Sequence, residues 1–304
     1  MAMNRAQFKK QMQEGLNSVF GLEVKRYVEE WPQAFDVERE NRKAYVEDVL
    51  MAGFSGAETK EEGAGVAYAT TSESYTSRYI FETIALAFAI TEEAEEDGLY
   101  GSIGKKLAKA LGVAFVHTKE VKGANVFNNG FDTTNYPGGD GVSLFNTAHP
   151  LQNGGTLANR LGTDADLSET SLEDMLILIA GCTDDKGIPQ ALTAERLLVA
   201  RQNQFVAQRI LFSDLRVDTA NNDLNAIKSM GLLRGGFAVN HRFTDSDAWF
   251  VKTDCMDGLK HIVRKALTGG VEGDFETGNM RYKKRERYIF GWSNWRGAFG
   301  TSGA

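Results

Sequence analysis

Residues 53–90 read GFSGAETKEEGAGVAYATTSESYTSRYIFETIALAFAI, and this stretch decides the fold. From Val66 onward side chains alternate: Val66, Tyr68, Ile80, Ile84, Leu86, Phe88 and Ile90 share one parity, while Ala, Thr, Ser and Tyr dominate the other. A period of two is the signature of a strand. The outer half, Glu58 to Ser77, is nearly all Gly, Ala, Ser, Thr, Glu and Tyr and holds no proline. It is too polar for a core strand and too regular in parity for a flexible linker. The stretch therefore reads as a projecting hairpin. A two-stranded hairpin alone is marginal in water, so an arm of this kind needs a partner surface on another molecule, and assembly is the expected activity.

The flanking sequence predicts an α+β body. Phe8, Met12, Leu16, Val19, Val24, Val28 and Trp31 follow helical spacing up to Pro32, an amphipathic N-terminal arm. Residues 33–52 are charged and mixed. Glu92, Glu93, Glu95, Glu96 and Asp97 form an acidic cluster suited to the positive end of a helix. Leu99, Ile103, Leu107, Leu111, Ala114, Val121 and Ala124 then mark one long helix, closed by Asn128-Asn129-Gly130. A turn-rich loop runs through Asn135-Tyr136-Pro137-Gly138-Gly139-Asp140-Gly141 and past Asn153-Gly154-Gly155. Ser168 or Ser171 is placed to cap a second helix with Leu172, Met175, Leu176 and Ile179 on its buried face. Leu197 to Ala200 reads as a buried strand, 203–212 as a helix, 218–225 as a polar loop, and 237–240 and 248–252 as strands. Residues 281–290 form a charged, alternating strand.

Composition narrows the function. The 304 residues are 42% hydrophobic, with 32 glycines and 4 prolines, as suits a globular chain rich in turns. A net charge of -7 argues against general nucleic-acid binding. The two cysteines, Cys182 and Cys255, have no metal or redox spacing, as expected for a fold in a reducing cytoplasm that does not depend on disulfides. No signal peptide is visible, and the longest apolar run, Ile84 to Ile90, falls far short of the roughly 20 residues of a membrane span. Neither a membrane partner nor a cofactor is expected.

Catalytic and metal signals are weak. His117, His149, His241 and His261 are scattered, without the spacing of a zinc site. His149, in Asn146-Thr147-Ala148-His149-Pro150, sits in the one specialised setting, where a hydrogen-bonded turn residue is the plainer reading and a general base the sharper one. The glycines from Gly98 to Gly104 before Lys105 miss the phosphate-loop spacing by one residue and lie inside a helical stripe. The carboxylates at 92–97 point round a helix and do not converge on a cation. The basic strand 281–287 reads equally as an exposed face and as a contact for nucleic acid or for a neighbour's acidic helix.

The order of elements (helical arm, hairpin, very long helix, Gly-rich loop, short helix, compact strand-helix-strand unit, returning strands) resembles the major capsid proteins of tailed bacteriophages. These have the Hong Kong 97-type fold, which herpesvirus capsids and encapsulins also use. The strings Asp140-Gly141-Val142-Ser143-Leu144-Phe145-Asn146-Thr147-Ala148-His149-Pro150 and Gly291-Trp292-Ser293-Asn294-Trp295-Arg296-Gly297 resemble phage major head subunits of the Mu-like group. The resemblance covers nearly the whole chain. It implies an N-terminal arm at 1–52, an extended loop at 53–90 lying over an adjacent subunit, and a peripheral domain with its spine helix at 91–189. It further implies an axial domain at 190–262 and a return to the peripheral domain at 263–304.

By the same resemblance, the function is that of a structural, non-enzymatic subunit. It would assemble as pentamers and hexamers into an icosahedral head, formed in the bacterial host cytoplasm and enclosing double-stranded DNA without sequence-specific binding. A separate or already removed scaffold, a portal and a decoration protein are the implied partners. Covalent crosslinking between subunits does not carry over from the resemblance, because no lysine–asparagine pair of this sequence can be matched to it. Tyr68, Tyr75, Arg78, Tyr79 and Phe81 are the expected inter-subunit contacts; each aromatic laid on a neighbour contributes about 1–2 kcal/mol by apolar burial. Opposite charges on 92–97 and 281–287 are expected to set register. The alternatives are an encapsulin-like compartment shell and, in a different class, a soluble hydrolase using His149 with Asp140 or Asp245.

Overall fold

The computed structural model describes residues 5–40, 42–63, 65–91, 93, 100–216, 223–273 and 279–304, with side chains described from residue 13 and, in the helix beginning at 100, from residue 103. The acidic cluster, apart from the exposed Glu93, and most of the loop after residue 217 lie outside the described residues. Helices α1 (Arg5–Arg26) and α2 (Tyr100–Asn128) pack on a four-stranded sheet ordered β1 (Asp36–Arg39), β10 (Leu259–Gly273), β11 (Met280–Trp292) and β4 (Glu82–Ile90). In this sheet β1 runs parallel to β10 and the other pairs are antiparallel.

A second sheet is ordered β12 (Ala298–Thr301), β9 (Trp249–Thr253), β7 (Ala194–Ala200) and β8 (Phe237–Asn240). Around it lie α3 (Glu169–Ala180), α4 (Gln204–Phe212) and α5 (Ala226–Met230). Two short ladders complete the fold: β2 (Tyr45–Met51) with β3 (Glu73–Ile80), and β5 (His149–Pro150) with β6 (Thr156–Leu157).

The long helix forms where its spacing predicts, but its buried face is turned. Ala108, Leu111, Phe115, Val116, Ala124 and Phe127 are buried, whereas Ile103 is 42% exposed. Small residues explain the rotation: a Cβ at Gly112 would lie 3.5 Å from the Phe20 carbonyl, so α1 crosses close to the α2 backbone there. The rings of Phe20 and Phe115 meet edge-on at 6.2 Å beside Leu16 and Tyr282.

The N-terminal helical pattern is likewise shorter than 4–31. α1 stops at Arg26, Val28 is exposed, and Trp31–Gln33 form a separate 3-10 turn. The Glu120 carboxylate on α2 fixes that turn by accepting the backbone N–H groups of Glu30 at 2.8 Å and Trp31 at 3.1 Å. Burial pushes the Glu120 carboxyl above its ordinary value, against these hydrogen bonds.

Ser168 is the cap of α3 and forms a reciprocal box with Ser171. The main core lies between α3, α4 and the second sheet, and Phe145 and Phe127 stack or tilt against Phe250 at 4.9 and 5.1 Å. At its edge, His261 stacks on Phe290 at 4.2 Å and meets Trp31 at 4.3 Å. Neither of its ring nitrogens has a hydrogen-bond partner among the described residues.

Burial, with the nearby Lys119 ammonium as the smaller cause, lowers the His261 pKa to about 3. The folded protein thus keeps a neutral ring while the unfolded chain takes up a proton near the ordinary value of 6.5. Stability from this residue is complete above that value and drains away as pH falls toward 3. His261→Phe is expected to flatten the fall in melting temperature between about pH 6.5 and pH 3 relative to the parent, measured by thermal denaturation of the subunit; an unchanged slope would place the acid sensitivity elsewhere.

Candidate assembly surface

The expected hairpin exists, with different strands. Its ladder is β2 against β3, Tyr45 opposite Ile80 through Met51 opposite Glu73, so it begins before residue 53. Residues 52–63 and 65–72 connect the two without strand structure, and β4 leaves the hairpin to pair with β11. The alternation seen from Val66 belongs to β3 and β4, because the segment from 66 to 72 pairs with no strand among the described residues.

The base of this arm is welded to the first sheet. Tyr79 and Phe81 are buried with Ile262, beside Val46 and Ile289. Tyr79 occupies the space a side chain would need at Gly291, where a Cβ would lie 2.5 Å from the ring. The Tyr79 hydroxyl meets Ser293 Oγ at 2.5 Å, and Ser293 Oγ donates to Asp48 Oδ2 at 2.7 Å.

Asp48 in turn shares the Lys260 ammonium, at 2.8 Å, with Asp257 at 2.7 Å and Glu38 at 3.0 Å. Burial alone would lower the Lys260 pKa; the three carboxylates outweigh it and raise the ammonium above its ordinary value. Burial likewise raises the phenols of Tyr79 and Tyr75.

The Gly-rich loop lies flat against the same base. A Cβ at Gly138 would fall 2.0 Å from the Trp292 ring, and one at Gly139 would fall 2.7 Å from both Thr76 O and the Tyr75 ring. Gln152 Nε2 donates to the carbonyls of Glu73 and Ser74 at 2.6 and 3.0 Å.

Beyond the base the described residues lie open to solvent. Residues 54–63 and 65–73 are all exposed, including Phe54 at 59%, Val66 at 70% and Tyr68 at 97%. The five expected contacts therefore separate. Tyr68 and Arg78 lie on the surface, with Arg78 stacked over the Tyr45 ring at 4.2 Å. Tyr75 is half-buried, and Tyr79 and Phe81 are buried by their own subunit. The aromatic residues nearest the sheet thus pack within their own fold, and Tyr68 and Arg78 present the larger open surface.

The two strings quoted above meet in space. His149 is fully buried; Nδ1 lies 2.6 Å from Asp140 Oδ2 and Nε2 lies 3.1 Å from Asn159 Oδ1. Its ring stacks on Trp295 at 4.4 Å with 9° between the planes. Asn159 Nδ2 donates to the carbonyls of Leu144, Trp295 and Ala298 at 2.6, 3.2 and 2.9 Å, which fixes its Oδ1 as the acceptor facing His149. Next to it the buried Arg296 pairs with Asp185 at 2.9 Å and donates to Thr183 O.

Asp140 is thus the partner of His149, while Asp245 accepts from the backbone of Asp247 and Ala248 in its own turn. With both ring nitrogens engaged and no exposure, His149 is a tie between two loops. Among the described residues no group of three or more His, Cys, Asp or Glu could hold a metal, and no helix is long and apolar enough to cross a membrane.

A body of two sheets with one long helix, carrying an arm whose outer part is left uncovered, defines a capsid-type shell subunit of the Hong Kong 97-type fold. The chain belongs to the phage capsid protein family, whose model matches residues 74–300. No curated protein matches it. Among solved structures it is similar to the virus-like particle from Pyrococcus furiosus, with 13% identity, a TM-score of 0.55, and coverage of 95% of this chain and 98% of that one. It is also similar to a protein of Mycobacterium phage Patience (12% identity, TM-score 0.53, 94% and 86% covered). The capsid of Myoviridae phage XM1 gives 10% identity, a TM-score of 0.52 and 90% coverage of each chain.

His149→Ala would leave the Asp140 carboxylate buried beside a void under Trp295. Removing one partner of such a pair is expected to cost about 3–5 kcal/mol, read as a lower urea midpoint of the subunit, whereas Asp245→Ala shifts it by about 1 kcal/mol or less. An unperturbed midpoint for His149→Ala would remove the tie from the account.

Proposed function

We propose that the chain is the major capsid protein of a tailed bacteriophage, assembling as pentamers and hexamers into the icosahedral head that encloses double-stranded DNA. The observation that carries this reading is the arm: a base fixed by buried groups and an outer segment, described over 54–63 and 65–73, whose Phe54, Val66 and Tyr68 are left largely exposed. A contact from an arm on one copy to a different surface on the next is head-to-tail, and such contacts close into rings. Each is modest, and many together hold a shell through effective concentration.

In this reading residues 1–52 are the N-terminal arm, 53–90 the extended loop, to which β2 adds a strand from before residue 53 and from which β4 returns to the peripheral sheet, 91–189 and 263–304 the peripheral domain, and 190–262 the axial domain that meets its copies at the symmetry axes. The mature subunit resides in the virion, with assembly in the host cytoplasm and with scaffold, portal and decoration proteins as separate partners. The likeness to the Pyrococcus furiosus particle supports a second reading, a compartment shell holding protein in place of DNA. The mass and contents of the purified particle separate the two.

Deleting Gly56 to Tyr68 removes, among the described residues, only exposed ones and leaves the β2–β3 ladder intact. The variant is expected to keep the far-UV circular dichroism and urea midpoint of the parent but to form no closed particles by electron microscopy. Closed particles of normal size would refute the reading.

A further inference from the structure

One face of the first sheet packs on α1 and α2 through Tyr282. The opposite face is covered at one end by the arm's base, where Phe81 and Tyr79 sit on Ile262 and beside Ile289. Further along β11, side-chain alternation puts Lys283, Arg285 and Arg287 on this same second face. Lys283 and Arg285 are exposed, Arg287 is half-buried, and Arg287 Nε has no hydrogen-bond partner among the described residues. Their cross-strand neighbours on β4 are short, Ala87, Ala85 and Thr83; on β10 Gly270 and Thr268 lie opposite Lys283 and Arg285, and Lys265, a further exposed cation, lies opposite Arg287. The result is a row of cations set in a shallow trough, on a chain whose net charge is -7.

We propose that this trough receives the acidic outer segment of the arm of a second copy, with Glu58, Glu61 and Glu62 against Lys283, Arg285 and Arg287. The inference rests on the reading that the chain assembles through its arm, and it names the receptor for that arm. Charge complementarity selects the occupant. Residues 58–62 carry three carboxylates and one lysine, and all five are exposed. Length agrees as well: at about 3.4 Å per residue Lys283 and Arg287 stand roughly 14 Å apart, the same reach as Glu58 to Glu62 in an extended chain. The short alanine and threonine side chains allow a second backbone to approach, and they leave a flat bed for the Tyr68 ring, which an arginine attracts through its face. Exposed ion pairs of this kind fix register more than they add affinity. They also make assembly sensitive to salt.

The test is a charge swap in the full chain. E58K/E61K/E62K and, separately, K283E/R285E are each expected to raise the threshold concentration for particle formation by about tenfold or more, read by light scattering and electron microscopy. The five substitutions combined are expected to bring the threshold back to within about threefold of the parent, because opposite charges again face each other. Urea midpoints of the unassembled variants report folding, and K283Q/R285Q, which adds no repulsion, serves if the reversal fails to fold; it is expected to raise the threshold in the same direction.

A combined variant no better than the worse of its parents would overturn the proposal, as would a parental threshold for K283E/R285E. Normal particles that have lost nuclease-protected DNA would also overturn it and assign the row to a polyanion. If the arm deletion abolishes particles while both reversals leave the threshold unchanged, assembly through the arm stands and this receptor falls.

Discussion

The ammonium of Lys260 is the point on which the arm depends. Its side chain is 6% exposed and it gathers Glu38 from β1, Asp48 from β2 and Asp257 from the turn before β10. Through Asp48 and Ser293 it reaches the Tyr79 hydroxyl on β3. Strands far apart in sequence are thereby held in one register at the root of the hairpin. Leaving a buried charge without its partner costs about 3–5 kcal/mol, whereas an exposed ion pair contributes about 0–1 kcal/mol. The base is therefore rigid and the outer segment is free to make and break contacts, which is the division a growing shell needs if misplaced subunits are to leave.

The buried tie of Asp140, His149, Asn159 and Trp295 does related work. It holds the Gly-rich loop in the position from which Gly138 and Gly139 press against Trp292, Tyr75 and Thr76. Side chains at those two glycines would lift the loop away from the arm's root. The arrangement of His149 resembles part of a catalytic site in its chemistry, an imidazole held by a carboxylate, yet its burial and the occupation of both ring nitrogens give it a mechanical role. The two strings that resemble phage head subunits are thus the two halves of one buried joint.

Local patterns were legible in the sequence wherever one element makes its own signal. The stop of α2 at Asn128, the Ser168 cap, the apolar run of β7 and the alternation of β11 all depend on neighbours in the chain. What was not legible depends on distant partners. β2 carries Glu47 and Asp48 among Val46, Val49 and Met51, and it becomes a strand because β3 lies beside it and Lys260 neutralises Asp48. β10 breaks its own alternation at irregularities after Val263 and Lys265 and contains Gly269 and Gly270, where a Cβ at Gly269 would lie 1.9 Å from the Lys283 carbonyl. Its pattern becomes intelligible only against β11. Tyr79 and Phe81 show the same limit: alternation tells which residues share a face, and only the sheet beneath them shows that their own fold covers it.

If the arm builds the shell, residues 54–63 and 65–73, open in the subunit, are covered in the particle. Amide hydrogen exchange, followed peptide by peptide in free subunits and in purified particles, tests it most directly. The account predicts rapid exchange of this segment in the free subunit, marked protection after assembly, and slow exchange of β3 in both. Equal exchange of 54–73 in the two states, or protection already present in the isolated subunit, would contradict it.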